Sequence, residues 1–450
     1  MQIQFIGATG TVTGSKYLLQ TEGKRILIDC GLFQGLKVLR QRNWSALPFD
    51  PRNIDAVVLT HAHLDHSGYL PLLIKKGFRG KIYSTRGTRA LCGILLPDSG
   101  HLQEEDARFL NKHSLSKHKP ALPLYTEKDA IKTLDYFHEV SWEEKINLAP
   151  HLKFQFIPAG HIVGASMIRF VSAKTRLTFT GDLGRPHGIL MKAPDPLPIS
   201  DYLVVESTYG DRTHPSEDTI ARMQGLLAPA LKRGGIVLIP AFAVGRVQEV
   251  LHLIHVLIQK KKIPNVPVFL NSPMSVKATG IYCDFHEEHR LSPEACQDIC
   301  RLTHFVDSVE ESKRLNLRTD PCIIISASGM ATGGRILHHL KAFAPKEKNL
   351  ILLAGFQAPG TRGWSLASGS PFLKIHGENI PVRAQVGSID SLSAHADSDE
   401  IISWLKAGKK PKETFITHGE PLAAEALRVR IKNELGWKCR VPDYLESFEL

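Results

Sequence analysis

Four side chains able to bind a metal crowd into six residues at His61-Ala62-His63-Leu64-Asp65-His66. Imidazole nitrogens and carboxylate oxygens suit Zn²⁺, and a hydrolytic zinc site keeps one coordination position open for water. The cluster follows the apolar run Ala56-Val57-Val58-Leu59, which places it at the end of a predicted strand. The same grammar recurs elsewhere. Asp29 follows Arg25-Ile26-Leu27-Ile28, His161 follows Phe154-Gln155-Phe156-Ile157, Asp182 follows Leu177-Thr178-Phe179-Thr180, and Glu206 follows Leu203-Val204-Val205. Turn preference accounts for one or two such placements, Asp29 and Asp182 above all. The whole series points to one rim of stacked sheets on which a single site is built.

A pair of divalent ions about 3.5–4 Å apart can serve an in-line displacement at phosphorus, and it needs more ligands than one motif supplies. His61 and His63 are two residues apart and can point the same way in an extended or turn segment, while Asp65 and His66 on the next turn can face a second ion. His161 would complete the first set and His418, after Phe415-Ile416-Thr417, the second, with Asp182 placed to bridge.

The elements that must position these residues belong to a chain of 450 residues with 43% hydrophobic content, enough for a large core in two or more domains. Its start, Met1 to Gly7, has no basic segment followed by an apolar one, and no apolar run is long enough to span a bilayer, so a cytoplasmic protein with no membrane partner is expected. Seven scattered cysteines with no CxxC pair read as reduced thiols. The net charge of +11 favours a polyanionic partner. The densest basic runs, Lys112 to Lys119, Lys260 to Lys262 and Lys406 to Lys412, interleave no aromatics and read first as solvated faces.

Strand-like runs separated by turns fill residues 1–207. Residues 208–382 change to longer helical stretches alternating with continuous apolar runs such as Ile236-Val237-Leu238-Ile239 and Cys322-Ile323-Ile324-Ile325, the pattern of parallel strands covered on both faces. Residues 383–450 return to the first pattern, so the middle segment is expected to be an inserted α/β domain. Within it, Ser326-Ala327-Ser328-Gly329-Met330-Ala331-Thr332-Gly333-Gly334-Arg335 follows a buried strand and opens a helix-like run. Its small residues could expose backbone N–H groups to a phosphate, with Ser326, Ser328 and Gly329 at the seat and Arg335 adding charge; a tight structural turn would use the same glycines. The stretch from Gly355 to Gly363 has the same ambiguity, with Arg362 a candidate phosphate contact. Gly7 to Gly14 lacks a P-loop ending and reads as a hairpin turn.

Taken together, Asp29, the His61 to His66 cluster, His161, Asp182, Glu206-Ser207-Thr208-Tyr209-Gly210, Ser393-Ala394-His395-Ala396-Asp397 and Thr417-His418-Gly419-Glu420 resemble, across essentially the whole chain, the metallo-β-lactamase fold in its β-CASP branch of RNA nucleases. Within that family the chain is similar to the nuclease subunit of the cleavage and polyadenylation specificity factor and its bacterial counterparts, and is related to RNase J. The resemblance implies an αββα sandwich with an inserted β-CASP domain, and two zinc ions. His61, His63 and His161 would hold the first, Asp65, His66 and His418 the second, with Asp182 shared. Asp29 would orient a ligand imidazole from behind. His395, partnered by Glu206, would protonate the leaving oxygen or stabilise its charge. The implied activity is hydrolysis of single-stranded RNA, with endonucleolytic and 5′-to-3′ exonucleolytic modes sharing the same chemistry. Two alternatives stand beside it. A small-molecule hydrolase predicts a short path from Asp182 to the last histidine ligand, where this chain has an entire domain; a non-catalytic RNA-binding subunit predicts lost ligands. A homodimer is compatible with the sequence.

Overall fold

A computed structural model describes residues 1–355, 357–358 and 360–450. The chain forms two compact units, one made of Met1–Thr213 with His395–Leu450, the other of His214–Ala394.

The first unit is an αββα sandwich built on two seven-stranded sheets. One sheet runs in the order Ser447–Glu449, Gln2–Phe5, Tyr17–Thr21, Lys24–Ile28, Ala56–Val58, Lys81–Thr85, Phe137–Val140. The other runs Cys439–Arg440, Glu413–Thr417, Tyr202–Glu206, Arg176–Phe179, Ser166–Val171, Leu152–Pro158, Ile146–Ala149. Strand periodicity sorts the apolar residues between the two faces. Ile26, Ile28 and Val58 of the first sheet join Phe154, Phe156, Phe170, Phe179 and Phe415 of the second in the layer between the sheets, while Leu27 and Val57 are equally buried outside that cluster. Aromatic rings knit the layer, with Tyr17 5.4 Å from Phe179 and Phe5 5.3 Å from Phe415. The helices Arg86–Lys112 and Pro421–Leu435 pack along the first and second sheets respectively.

Strand direction is what gathers the site. Lys24–Ile28, Ala56–Val58 and Lys81–Thr85 are parallel, so Asp29 and Thr60-His61 leave the sheet on the same side. In the facing sheet Arg176–Phe179, Tyr202–Glu206 and Glu413–Thr417 are also parallel, with Phe179 opposite Val204 and Glu206 opposite Thr417. Asp182, Glu206 and His418 therefore emerge together.

The second unit holds a six-stranded sheet in the order Thr303–Phe305, Val268–Leu270, Cys322–Ser326, Ile236–Pro240, Leu350–Ala354, Gln385–Ile389, with every pairing parallel among the described residues. Cys322–Ser326 and Leu350–Ala354 are buried at every position, as their continuous apolar runs require. Gln385–Ile389 is a half-exposed edge strand of this sheet, and the unit continues to Ala394.

The segment Gly7 to Gly14 is more than a hairpin turn. It forms the longer loop between the antiparallel strands Gln2–Phe5 and Tyr17–Thr21, and it turns back so that the Ala8 carbonyl accepts the His418 N–H at 2.7 Å. A Cβ on Gly7 would lie 1.8 Å from the Gly14 carbonyl oxygen, so glycine is required at that crossing.

Candidate metal centre

Asp29 and His418, the residues just past two of the converging strands, adopt positive φ values of 56° and 51°. That conformation costs a non-glycine residue energy and persists only where the surroundings hold it. Both are held from their own backbone N–H groups, Asp29 by the Val58 carbonyl at 3.1 Å and His418 by the Ala8 carbonyl at 2.7 Å.

His61, His63, His161 and Asp182 each offer one donor atom to a common point, and Asp65, His66 and His418 do the same. In the first group His63 Nδ1 lies 3.2 Å from both His61 Nε2 and His161 Nε2, and Asp182 Oδ2 lies 3.3 Å from His61 Nε2 and 3.5 Å from His161 Nε2. In the second, His66 Nε2 is 3.0 Å from His418 Nε2, and Asp65 Oδ2 is 3.4 Å from His418 Nε2. Asp182 reaches this group as well, its Oδ1 standing 3.2 Å from His66 Nε2 and 3.6 Å from His418 Nδ1.

These distances suit a metal. Four donors held at about 2.0–2.1 Å around a tetrahedral ion stand about 3.3 Å from one another. Burial, together with the neighbouring imidazoles, depresses the His61 pKa to about 3, and burial also lowers His63 and His161, so these rings are neutral and present lone pairs. Asp182 Oδ1 is buried with no hydrogen-bond donor among the described residues. A carboxylate oxygen left without a partner is costly in a protein interior unless a cation completes it. The residues present therefore fit a metal site.

Further groups hold these donors from outside. Asp29, fully buried, places Oδ2 2.7 Å from His66 Nδ1 and accepts the Thr60 N–H and hydroxyl through Oδ1 at 2.7 and 3.0 Å. The Thr60 hydroxyl is also 3.1 Å from His61 Nδ1, and the Thr208 hydroxyl 3.2 Å from His418 Nδ1. Sequence reasoning missed both threonines. Their signal was adjacency: Thr60 immediately precedes His61, and Thr208 lies in the Glu206-Ser207-Thr208 run.

His395 stands beside the first group, its ring centroid 4.4 Å from that of His161 and its Nδ1 3.9 Å from Asp182 Oδ2. Both Glu206 oxygens lie 3.2 Å from His395 Nδ1. Burial disfavours the imidazolium, but Glu206 and Asp182 outweigh it and push its pKa up to about 9. Glu206, itself buried, is steadied by the Leu183 N–H at 2.5 Å. Asp397 caps the helix Ser398–Lys406, accepting the N–H groups of Asp399 and Glu400, while Glu400 accepts the Asp397 N–H in return. His395 thus sits just before a firmly anchored helix start.

The second unit treats its candidate phosphate residues differently. Arg335 donates to Asn271 Oδ1 at 2.8 Å and to the carbonyls of Val306 and Asp307 at 3.0 and 2.5 Å. Arg362 donates to the carbonyls of Lys374 and Thr332 at 2.7 and 3.0 Å. Both guanidinium groups, candidate phosphate contacts by sequence, are engaged by acceptors of their own unit, which they clamp together. The Ser326 hydroxyl is buried and donates to the Asn271 carbonyl at 3.0 Å; Ser328 pairs with Thr332 at 2.9 Å, and Gly329 lies buried beneath the Phe242 ring. The Arg335 segment is therefore a tied turn. Phe356 and Pro359 of the second glycine stretch lie outside the described residues.

Comparison with known families agrees with this architecture. Residues 9–221 match the metallo-beta-lactamase superfamily, residues 247–366 the Beta-Casp domain, and residues 379–442 a Zn-dependent metallo-hydrolase RNA specificity domain. The chain belongs to the β-CASP branch of the metallo-β-lactamase superfamily. Among its relatives is "Ribonuclease TTHA0252" of Thermus thermophilus, 35% identical over 93% of each chain. "RNase J-like protein" of Methanocaldococcus jannaschii is 29% identical over 93% of this chain and 92% of its own, and "Transcription termination factor FttA" of Methanosarcina mazei is 31% identical over 100% of this chain and 72% of its own. A crystal structure of a protein of unknown function from Enterococcus faecalis shares the fold, with a TM-score of 0.59 at 15% identity over 100% of this chain and 99% of that one. No helix among the described residues is long and apolar enough to cross a membrane.

Proposed function

We propose that this protein is a ribonuclease that hydrolyses phosphodiester bonds of single-stranded RNA at a two-zinc centre. The observation that carries the reading is the Glu206–His395 pair standing beside the donor cluster, with His395 Nδ1 3.2 Å from the carboxylate and 3.9 Å from Asp182. Family membership and the ribonuclease name of the Thermus relative support RNA as the substrate.

His61, His63, His161 and one oxygen of Asp182 would hold the first ion, and Asp65, His66, His418 and the other oxygen of Asp182 the second. When bound, the two ions supply Lewis acidity to water and to the phosphate. The chain's own groups do the rest. Asp29 fixes the His66 ring and tautomer through Nδ1, leaving Nε2 for the ion. Glu206 engages His395 through Nδ1 and keeps the ring protonated, so Nε2–H is the proton delivered to the leaving oxygen. Hydrolysis joins a water oxygen to phosphorus and breaks the bond to the 3′-oxygen, which departs with the His395 proton. The products are a 5′-phosphate and a 3′-hydroxyl.

The test is cleavage of a 5′-labelled single-stranded RNA by wild type and by His395→Ala of equal zinc content, resolved on a denaturing gel. Cleavage by wild type with loss in the variant is the expected result, and the ladder separates internal cuts from mononucleotide release. Failure of the zinc-loaded wild type to cut RNA would overturn the proposal.

A further inference from the structure

Three of the seven cysteines meet in the second unit. Cys283 closes the helix Pro273–Asp284, and Cys296 and Cys300 lie one turn apart on the helix Pro293–Leu302. The Sγ atoms of Cys283 and Cys300 are 3.9 Å apart, in van der Waals contact, and Cys283 also interacts with the Cys296 thiol. Cys283 and Cys300 are partly exposed, whereas Cys296 is buried. All seven cysteines are free thiols, so this contact is a reduced pair.

We propose that Cys283 and Cys300 are a thiol–disulfide exchange site that closes into an intramolecular disulfide on reaction with a low-molecular-weight disulfide. A disulfide needs its sulfurs at about 2.05 Å, so closure must draw the two contacting sulfurs together through side chains that sit near the ends of their helices. Cys296 and Cys300 project from the same helix, and the buried Cys296 is shielded from the incoming reagent.

The chemistry balances. The Cys300 thiolate attacks one sulfur of the external disulfide, forming a mixed disulfide and expelling a thiolate. The Cys283 thiol then passes its proton to that thiolate and attacks the Cys300 sulfur, expelling the second thiolate, which leaves with the proton first lost by Cys300. Two protein S–H groups and one external S–S bond become one protein S–S bond and two small thiols. Burial and the two neighbouring sulfurs hold the Cys283 pKa well above its ordinary value, which disfavours Cys283 as the attacking thiolate and suits it to the second, resolving step.

The bridge would fix the end of the helix Pro273–Asp284 to its neighbour. The opposite end of that helix carries Ser272 as its cap, directly after Asn271, the residue that receives Arg335 and the Ser326 hydroxyl. Closure would therefore stiffen the helix that anchors the Ser326 to Arg335 turn.

The experiment incubates the full-length protein with oxidised glutathione, alkylates the remaining thiols, and maps peptides by mass spectrometry. Expected is a protein lighter by two hydrogens, two fewer alkylatable thiols, and a Cys283–Cys300 linked peptide, all reversed by dithiothreitol. Cys283→Ser should instead retain glutathione on Cys300, and Cys296→Ser should leave the bridge intact. Stable glutathione adducts on the wild type, an unchanged thiol count, or linkage to another cysteine would each overturn the assignment.

Discussion

The rim of the first unit and the Ser326 to Arg335 turn of the second both begin where a buried parallel strand ends, and both are rich in polar side chains. They resolve their polarity in opposite ways. At the rim, imidazoles and an orphaned Asp182 oxygen face one another at 3.0–3.6 Å, a set of ligand atoms that a metal ion would complete. At the turn, Arg335 from within it and Arg362 from a neighbouring helix place donors on carbonyls and an amide of their own unit. An unmatched set of acceptors is a binding site, whereas a matched set of donors and acceptors is a clamp.

The largest test of that contrast is removal of the metal. Dialysis against a chelator should abolish RNA cleavage and added zinc should restore it; cleavage that survives at zero measured metal would break the rim reading. Next comes His395→Ala, expected to retain both ions by elemental analysis yet cleave about 10²–10⁴-fold more slowly, the loss associated with a positioned proton donor. Asp29→Asn acts one step further out. It should weaken metal binding by about 10–100-fold, measured by competition with a chromophoric chelator, because the His66 ring loses its orienting carboxylate. Unchanged affinity would mean that packing alone sets that ring.

The clamp side is tested by Arg335→Ala. Leaving its acceptors unpaired should cost about 1–3 kcal/mol in unfolding experiments, with the salt dependence of RNA binding unchanged. Uniformly weaker binding with a shallower salt slope would instead make Arg335 a phosphate contact. The smallest effect belongs to Asp397→Ala. Loss of the cap on Ser398–Lys406 should cost about 1 kcal/mol in thermal stability, and the cleavage rate at a temperature where the protein stays folded reports how far that cap fixes the nearby His395.

Much of the scaffold is legible in the order of the amino acids. Runs of β-branched residues mark most strands, and the change to longer helical stretches and continuous apolar runs announces a second α/β unit. Thr303–Phe305 and Gln385–Ile389 escape because edge strands carry polar, partly exposed residues and give no continuous apolar signal. The longer role of the Gly7 to Gly14 loop escapes for another reason: its bond from Ala8 to His418 joins opposite ends of the chain, and no local pattern encodes such a contact.

By itself the sequence determined the donor types, their placement at strand ends and their spacing in the His61 to His66 cluster, because these are local properties of composition and periodicity. Tertiary structure decided the pairings. Glu206 finds His395 across 189 residues, and Asp29 finds His66 across 37. Parallel register sets Glu206 level with Thr417 and so brings His418 to the rim. It also decided that Arg335 is tied to its own unit, since the carbonyls of Val306 and Asp307 become its neighbours only after the strands and helices have packed. A side chain's chemistry is fixed by its type, but whether its hydrogen-bonding capacity is left over for a ligand depends on which distant groups folding places beside it.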